Sequence, residues 1–221
     1  MTPAQRLTRE QRRAQNRQAL IDSAMRLLVS DGVNASLDAV SADAGLTTGA
    51  VYSNFGGKSG LIRAVVEAQL EGATEAMVQF GQAEGSLEDV LRMYTDFVEV
   101  YRAAENARAL SMLALQVVQM AAEDEDFRRA VAPLKAREME ALAGALTGRS
   151  SRHLPAGTVT TPDEGRAIGF VLRTLVDGYT ARWLALDQPE DVPLADAAEA
   201  LGALIPALRR SGGAAATGDE G

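Results

Sequence analysis

Two short helical segments separated by a glycine constrain this chain more than any other feature of its sequence. The first begins at Ser36, whose hydroxyl is suited to accept from a free first-turn amide, and continues with apolar residues at helical spacing. Gly45 follows, where a left-handed backbone ends a helix without steric cost, and Thr47 is predicted to cap a second helix from Thr48 to about Asn54. This order of signals predicts a helix-turn-helix.

The second of these helices is too short to be stable alone, because two turns barely recover the cost of nucleation. Val51 and Phe55 are predicted to anchor it against neighbouring helices. Small and hydrogen-bonding groups remain on the outer side, where they allow a helix to lie close to the major groove of DNA. These outer residues are Thr47, Thr48, Gly49, Tyr52, Ser53 and Asn54.

The residues around this unit follow a characteristic order of apolar positions, turn glycine, aromatic pair and lysine. They are Ala19, Ala24, Met25, Leu27, Leu28 and Gly32, then the run from Ala44 to Phe55, then Lys58 and Leu61. The pattern resembles the TetR family of bacterial transcriptional repressors over about the first third of the chain. Many relatives carry Arg or Lys at the position of Thr48, so one charged DNA contact is absent here.

The resemblance implies a set of DNA contacts. The positions that meet DNA in the family are occupied by Ser36, Thr47, Thr48, Gly49, Tyr52, Ser53, Asn54 and Lys58. We assign Tyr52 and Lys58 to phosphates, and Thr48, Ser53 and Asn54 to base edges. Lys58 opens a long helix, whose free amides and positive dipole end favour an anion; the alternative is an ordinary surface lysine.

The charge distribution adds a further candidate contact. The net charge is −8, which taken alone argues against a nucleic-acid binder. In the first 17 residues, however, five arginines face a single acidic residue, Glu10. We predict that residues 1–17 form a flexible basic arm that touches DNA through Arg12, Arg13 and Arg17, the alternative being a solvated tail.

The predicted fold class is all-α, because Ala and Leu dominate and no alternating segment of strand length occurs. A three-helix helix-turn-helix domain is predicted to precede a larger helical domain that binds an effector and dimerises. The predicted boundaries are 10–57 for the first domain, 58–81 for a linking helix, 86–210 for the second domain and 211–221 for a disordered tail. The polar loop at 148–160 is also predicted to be disordered.

The helices of the second domain offer candidate effector and dimer contacts, with ordinary packing as the alternative for each residue. We expect a hydrophobic effector of moderate size, lined by Tyr94, Phe97, Tyr101, Met112, Gln116, Met120, Leu172, Val176, Tyr179 and Trp183. Two last helices, from Thr161 and from Leu194, are predicted to pair with their copies in a homodimer, because one helix-turn-helix offers too few base contacts. The candidate interface residues are Thr174, Gly178, Ala181, Ala185, Leu201, Leu204 and Leu208.

Other functional classes find little support. The chain has no cysteine, and its single histidine, His153, lies in the polar loop, so no nucleophile, acid-base pair or metal site is predicted, and no cofactor. It lacks a secretory start and a long apolar stretch, which predicts a cytosolic protein without a membrane partner. The remaining alternative to a regulator of operator DNA is a helical interaction or small-molecule-binding protein without DNA readout.

Overall fold

A computed structural model describes residues 8–31, 34–186, 193–207 and 209, and within these ranges the chain is helical with no β-strand. The predicted all-α class is confirmed. The helices are α1 Arg9–Asp31, α2 Leu37–Asp43, α3 Thr48–Phe55, α4 Lys58–Gln82, α5 Leu87–Ala103, α6 Ala107–Glu123, α7 Glu125–Leu146, α8 Pro162–Leu186 and α9 Leu194–Glu199, followed by a 3-10 helix Ala200–Leu204. Gly32, Leu208 and the tail at 211–221 lie outside the described residues.

Side-chain caps set several helix starts. The Ser36 hydroxyl accepts from a first-turn amide of α2 at 3.1 Å. Ser86 and Asp89 form a reciprocal capping box at the start of α5. At the start of α8, the Thr161 amide donates to a Glu164 carboxylate oxygen at 2.8 Å, and the Thr161 hydroxyl accepts from the Glu164 amide at 3.3 Å. These starts agree with the sequence prediction, since each cap uses neighbours in the chain.

The chain divides into two compact units. The first comprises residues up to 69 together with 108–133, and the second comprises 70–107 together with the residues from 134 onward. The unit boundaries therefore lie within α4, after the first residue of α6 and within α7. The predicted division at 10–57, 58–81 and 86–210 concerns DNA reading and ligand binding, and it stays a prediction.

In the first unit, α1, α2 and α3 contact one another. Their buried apolar residues are Leu20, Ile21, Ala24 and Leu28 of α1, Val40 of α2 and Val51 of α3. The buried Ser23 hydroxyl of α1 also donates to the Val40 carbonyl at 2.8 Å. The first helix is therefore the scaffold of the helix-turn-helix, as the sequence predicts.

In the second unit, a core of leucines joins α5, α8 and α9 with the end of α7. Its largest fully buried side chains are Leu87, Leu91, Leu146, Leu172, Leu194 and Ile205. Glu164 is buried at the start of α8, and its carboxylate accepts from the Arg209 guanidinium at 2.6 Å. This hydrogen bond lowers the pKa of Glu164, so the buried carboxylate stays ionised and paired.

The loop at 148–160 is ordered, and the prediction of disorder is wrong. Arg149 in this loop is buried, and its guanidinium donates to the carbonyls of Ala83 at 2.5 Å and Gly81 at 2.7 Å. Its Nε donates to the Ala145 carbonyl at 3.0 Å. These bonds satisfy carbonyls at the ends of α4 and α7. Because two of the partners are distant in sequence, local composition gave no sign of them.

One helix differs from the sequence prediction, and two others agree with it in part. Apolar residues occur around much of the circumference of α6, a pattern that predicts enclosure by other helices, yet Met112, Leu115 and Val118 are exposed. A proline inside a helix predicts a kink or a split at Pro133; α7 is continuous through Pro133, which excludes the split and leaves the kink a prediction. The last helix, predicted from about Leu194 to Arg209, is helical over its described residues but not one continuous α-helix, because a 3-10 helix at Ala200–Leu204 separates α9 from helical residues 205–207. Periodicity identified these segments but not what covers them.

We expect Arg149→Met to lower the free energy of unfolding by about 3 kcal/mol, because buried carbonyls lose charge-assisted hydrogen bonds. Methionine keeps much of the aliphatic packing. Urea unfolding followed by circular dichroism measures the change. The matched control is Arg166→Met, which removes an exposed guanidinium paired with Asp163 on the surface of α8 and should cost less than about 1 kcal/mol. Equal losses in the two variants would contradict the role of Arg149.

Candidate nucleic-acid interface

The turn between α2 and α3 has the predicted geometry. Gly45 has a φ of +67°, and the Leu46 amide donates to the Ser41 carbonyl at 2.8 Å, so the chain turns directly after α2. Thr47 holds the extended backbone of an N-cap, but its side chain makes no capping hydrogen bond, so the predicted hydroxyl cap is wrong. Gly56, with a φ of +76°, ends α3.

Contacts with α1 hold the short recognition helix α3 in place. Val51 is fully buried and Phe55 is half-buried, which confirms both predicted anchors. The Arg17 guanidinium lies 4.6 Å from the centre of the Phe55 ring. It also donates to the Asn54 carbonyl at 3.5 Å, a long hydrogen bond at the end of α3. Arg17 therefore contacts α3 itself.

The predicted outer face of α3 is exposed. Thr47, Gly49, Tyr52 and Ser53 are exposed on this face, and the Tyr52 side chain leaves 58% of its residue surface accessible. Gly49 has open space around it, because an added Cβ would meet one atom, the Thr47 hydroxyl oxygen, at 3.7 Å. Such a surface lets another macromolecule approach the helix backbone.

Three residues that we assigned to base edges are engaged within the chain. The Thr48 hydroxyl donates to a carboxylate oxygen of Asp38 at 2.6 Å. The Ser53 hydroxyl and the Asn54 amide both donate to the Ala50 carbonyl, at 3.1 Å and 2.8 Å. Ser53 is exposed, whereas Thr48 and Asn54 are half-buried. A contact between any of these groups and a DNA base must therefore either replace these internal hydrogen bonds or form alongside them.

A polar groove lies between the first turns of α1 and the second half of α3. Its volume is about 510 Å³, and it is lined by Arg9, Arg12, Arg13, Asn16, Ala50, Ser53 and Asn54. We call it the arginine groove. Residues 9–17 are helical, so the predicted flexible arm is wrong for them, whereas residues 1–7 lie outside the described ranges. Sequence reasoning missed Arg9 and Asn16, although their spacing from Arg12 and Arg13 is helical.

The start of α4 lies close to the end of α3. Lys58 is the first residue of α4 and is half-buried. Gly60 has no space for a Cβ, which would overlap the Phe55 carbonyl oxygen. Gly57, with a φ of +140°, lies against the Tyr52 ring. Sequence reasoning missed the constraint at Gly60, which requires a residue without a side chain beside the end of α3.

The candidate effector residues fall in both units. In the second unit, Tyr94, Leu172 and Val176 are buried in the core, while Phe97 and Tyr101 are exposed. In the first unit, α6 carries exposed Met112 and half-buried Gln116 and Met120.

Arg102 forms a cluster with the two remaining effector candidates. Its guanidinium lies 4.4 Å from the Tyr179 ring centre and 5.0 Å from that of Trp183. The Arg102 side chain is 11% exposed, and its Nε is buried with no hydrogen-bond partner among the described residues. Sequence reasoning missed Arg102, because a charged residue on an amphipathic helix is ordinarily expected to face solvent.

The candidate dimer residues are mostly exposed on α8. Thr174, Gly178, Ala181 and Ala185 are exposed there, as is Leu204 in the 3-10 helix. By contrast, Leu201 is buried in the core of the second unit. A groove of about 660 Å³ follows the same side of α8, lined by Phe170, Val171, Thr174, Leu175, Gly178, Tyr179, Arg182 and Ala197. We call it the α8 groove. Phe170 and Val171 precede Thr174 by four and three residues, which is the signal that could have found them.

Within the described ranges, the structure contains neither a cluster of metal-binding residues nor a helix able to span a membrane. There, no three residues of the types His, Cys, Asp and Glu come together as a metal site would require. Among the helices of those same ranges, none has the length and apolar character needed to cross a membrane.

Comparison with known proteins identifies the helix-turn-helix. Residues 20–65 match the family model described as bacterial regulatory proteins, tetR family. The HTH-type transcriptional regulator TtgW of Pseudomonas putida, itself uncharacterized, is 43% identical over 53 residues, which are 24% of this chain. The match spans 40% of that relative's length.

Solved structures resemble the fold over most of the chain. A TetR-family regulator from Mesorhizobium loti, itself of unproven function, has a TM-score of 0.66 at 16% identity, covering 91% of this chain and 98% of that one. FadR of Bacillus subtilis, solved in complex with stearoyl-CoA, has a TM-score of 0.60 at 15% identity, covering 85% and 96%. The reduced form of NemR from E. coli has a TM-score of 0.64 at 18% identity, covering 84% and 94%. At these identities the likeness establishes the fold alone.

Proposed function

We propose that the chain is a transcriptional regulator of the TetR family and not an enzyme, and that it acts as a homodimeric repressor released from a palindromic operator by a hydrophobic small molecule. The observation that carries this proposal is the exposed face of α3 beside the arginine groove. An exposed helix face next to clustered guanidinium groups suits a duplex with a negatively charged backbone. We place this activity in the cytoplasm.

In this proposal, the DNA phosphates and the DNA bases are contacted by different kinds of side chain. Arg12, Arg13, Tyr52 and Lys58 bind phosphates, because they are cations or hydroxyl donors beside the exposed face of α3. Arg9 joins them through the arginine groove.

In this proposal, the DNA bases are contacted by side chains on the exposed face of α3. Thr48, Ser53 and Asn54 meet base edges, while Ser36, Thr47 and Gly49 border the duplex. Arg17 has a different role, since it positions α3 through Phe55 and the Asn54 carbonyl.

The α8 groove supports the homodimer. In a single copy, Phe170 and Leu186 leave 66% and 55% of their surfaces exposed, on either side of the small residues from Thr174 to Ala185. Burying large apolar side chains against a second copy is favourable, and small residues permit close helix approach. A twofold axis then presents two recognition helices to two half-sites of a palindrome. Leu204 joins this interface, whereas Leu201 contributes through the core beneath it.

The cluster of Arg102 with Tyr179 and Trp183 supports an effector that is largely apolar and carries one hydrogen-bond acceptor. Two aromatic faces offer apolar area, and the buried Arg102 Nε is a donor that a ligand acceptor would satisfy. The structurally similar FadR of Bacillus subtilis was solved with stearoyl-CoA, a molecule with a long apolar chain. Release from DNA then requires that the effector bind the released conformation more tightly than the DNA-bound one.

The first prediction concerns phosphate contacts. In fluorescence anisotropy with duplex from the region flanking its own gene, we expect tight binding that exceeds binding to a scrambled duplex and weakens with salt. Arg13→Ala and Lys58→Ala should each reduce the slope of log affinity against log salt by about 0.9, because each removes one phosphate contact. Arg166→Ala is the control, since Arg166 is an exposed arginine of α8 outside the groove. Unchanged slopes in both variants would contradict the assignment.

The second prediction concerns the dimer. At micromolar concentration, light scattering should give about twice the 23.3 kDa mass of one chain, and Phe170→Asp should shift the mass toward one chain by placing a charge in an apolar interface. Val100→Asp is the matched control, because Val100 is 73% exposed on α5 and lies outside the α8 groove. A wild-type mass of one chain would exclude the homodimer.

The third prediction concerns the effector. Trp183 is the single tryptophan, so its fluorescence reports on the Arg102 cluster. In a panel of apolar carboxylates, esters and hydrocarbons, we expect a compound with an acceptor group to change the fluorescence and to weaken operator binding. Arg102→Met should reduce its affinity about tenfold, the effect of losing a hydrogen bond from a charged donor. If a fully charged, water-soluble metabolite alone produced both changes, the effector class would be wrong.

A further inference from the structure

The first residue of α3, Thr48, has its hydroxyl turned toward α2. The hydroxyl donates to a carboxylate oxygen of Asp38 at 2.6 Å, and the Ser41 hydroxyl oxygen lies 3.2 Å from the Thr48 hydroxyl oxygen. A threonine hydroxyl has one proton to donate, so Asp38 uses the donor capacity of Thr48 completely. Both partners belong to α2, and the bond ties the start of the recognition helix to the helix before it.

This arrangement determines which part of Thr48 is available to a ligand. The hydroxyl and the methyl group of threonine are bonded to the same Cβ and point in different directions. Because the Thr48 hydroxyl is held against α2, the methyl group is the part of the side chain that can contact another surface. Thr48 remains half-buried rather than enclosed, and Thr47 and Gly49 on either side of it are exposed. A methyl group in a major groove makes its best contact with the 5-methyl group of thymine.

We infer that Thr48 is a specificity-determining residue that reads the 5-methyl group of thymine in each half-site, and that Asp38 is the positioning residue that orients it. The inference rests on the proposed function, since it assumes that α3 enters the major groove. It changes the role of Thr48 from hydrogen-bond partner to apolar contact.

The competing role, donation by the Thr48 hydroxyl to a base or a phosphate, is disfavoured by the same geometry. The hydroxyl would have to leave a short bond to a carboxylate, and bonds to ionised acceptors are stronger than bonds to neutral ones. Asp38 would then lose a partner while DNA phosphates approached. A methyl contact requires neither change.

The test separates methyl from hydroxyl on both sides of the interface. Sequences are first selected from a random duplex pool with the full-length wild-type protein. Each thymine of the selected site is then replaced singly by uracil, which removes the 5-methyl group and leaves base pairing unchanged. The affinities of wild type, Thr48→Val and Thr48→Ser are measured for every duplex. Valine keeps a methyl group and lacks the hydroxyl, whereas serine keeps the hydroxyl and lacks the methyl group.

For the wild type, we expect one thymine in each half-site at which uracil lowers affinity roughly fourfold, the effect of losing one buried methyl group. Thr48→Val should keep this thymine-to-uracil ratio, and Thr48→Ser should reduce it to about one. The ratio is the decisive readout, because general destabilisation of α3 weakens both duplexes equally. If Thr48→Ser kept every ratio, or Thr48→Val lost it as Thr48→Ser does, the inference would be overturned.

Asp38 provides an independent arm of the test. Asp38→Asn retains an oxygen acceptor for the Thr48 hydroxyl and should keep the thymine-to-uracil ratio. Asp38→Ala frees the hydroxyl to rotate and should lower the ratio, with helicity checked by circular dichroism. A ratio unchanged in Asp38→Ala would remove the positioning role. A wild-type protein that selects no sequence from the pool would overturn the proposed function itself, which distinguishes that failure from failure at Thr48.

Discussion

The eight-residue length of α3 is the constraint on which the DNA-binding part of the structure depends. A helix of two turns is not stable by itself, so its position must come from its neighbours. Val51 supplies a buried anchor, and Arg17 of α1 holds the other end through Phe55. Because α1 also carries the arginines of the groove, the helix that positions α3 is the one that presents cations beside it. In the proposed function, α3 and the guanidinium groups of the arginine groove are thereby fixed relative to each other before DNA binds, which reduces the entropy lost on binding.

The sequence predicted those parts of the fold that depend on local chemistry. Ser36, Ser86 and Thr161 begin helices because their partners lie three residues further on, and Gly45 ends one because its backbone is left-handed. The order at 148–160 could not be found this way. Arg149 reaches carbonyls more than sixty residues earlier, and nothing in the polar composition of the loop indicates that contact. Composition indicates whether a segment becomes ordered by itself, whereas the order of this loop depends on hydrogen bonds to residues that are distant in the sequence.

The sequence predicted which residues of the candidate site are exposed, but it did not predict the contacts that hold them. The exposed residues Thr47, Gly49, Tyr52 and Ser53 follow from helical spacing, since the buried Val51 fixes which side faces outward. The local positive charge at the start of α1 suggested a flexible arm, although arginine and glutamine are good helix formers. The bond between Thr48 and Asp38 depends on rotamers across a turn, which spacing alone does not give.

An acidic chain that binds DNA raises an electrostatic question, since acidic residues outnumber Lys and Arg by 30 to 22. Screening supplies part of the answer, because at physiological salt charges beyond about 8 Å contribute little. A phosphate beside the arginine groove therefore senses mainly the guanidinium groups that line it. In the proposed function, the remaining acidic surface would repel DNA in other orientations and so weaken non-specific binding more than binding through α3. Net negative charge thus raises the ratio of specific to non-specific affinity, and that ratio determines whether a regulator finds its operator among competing sites.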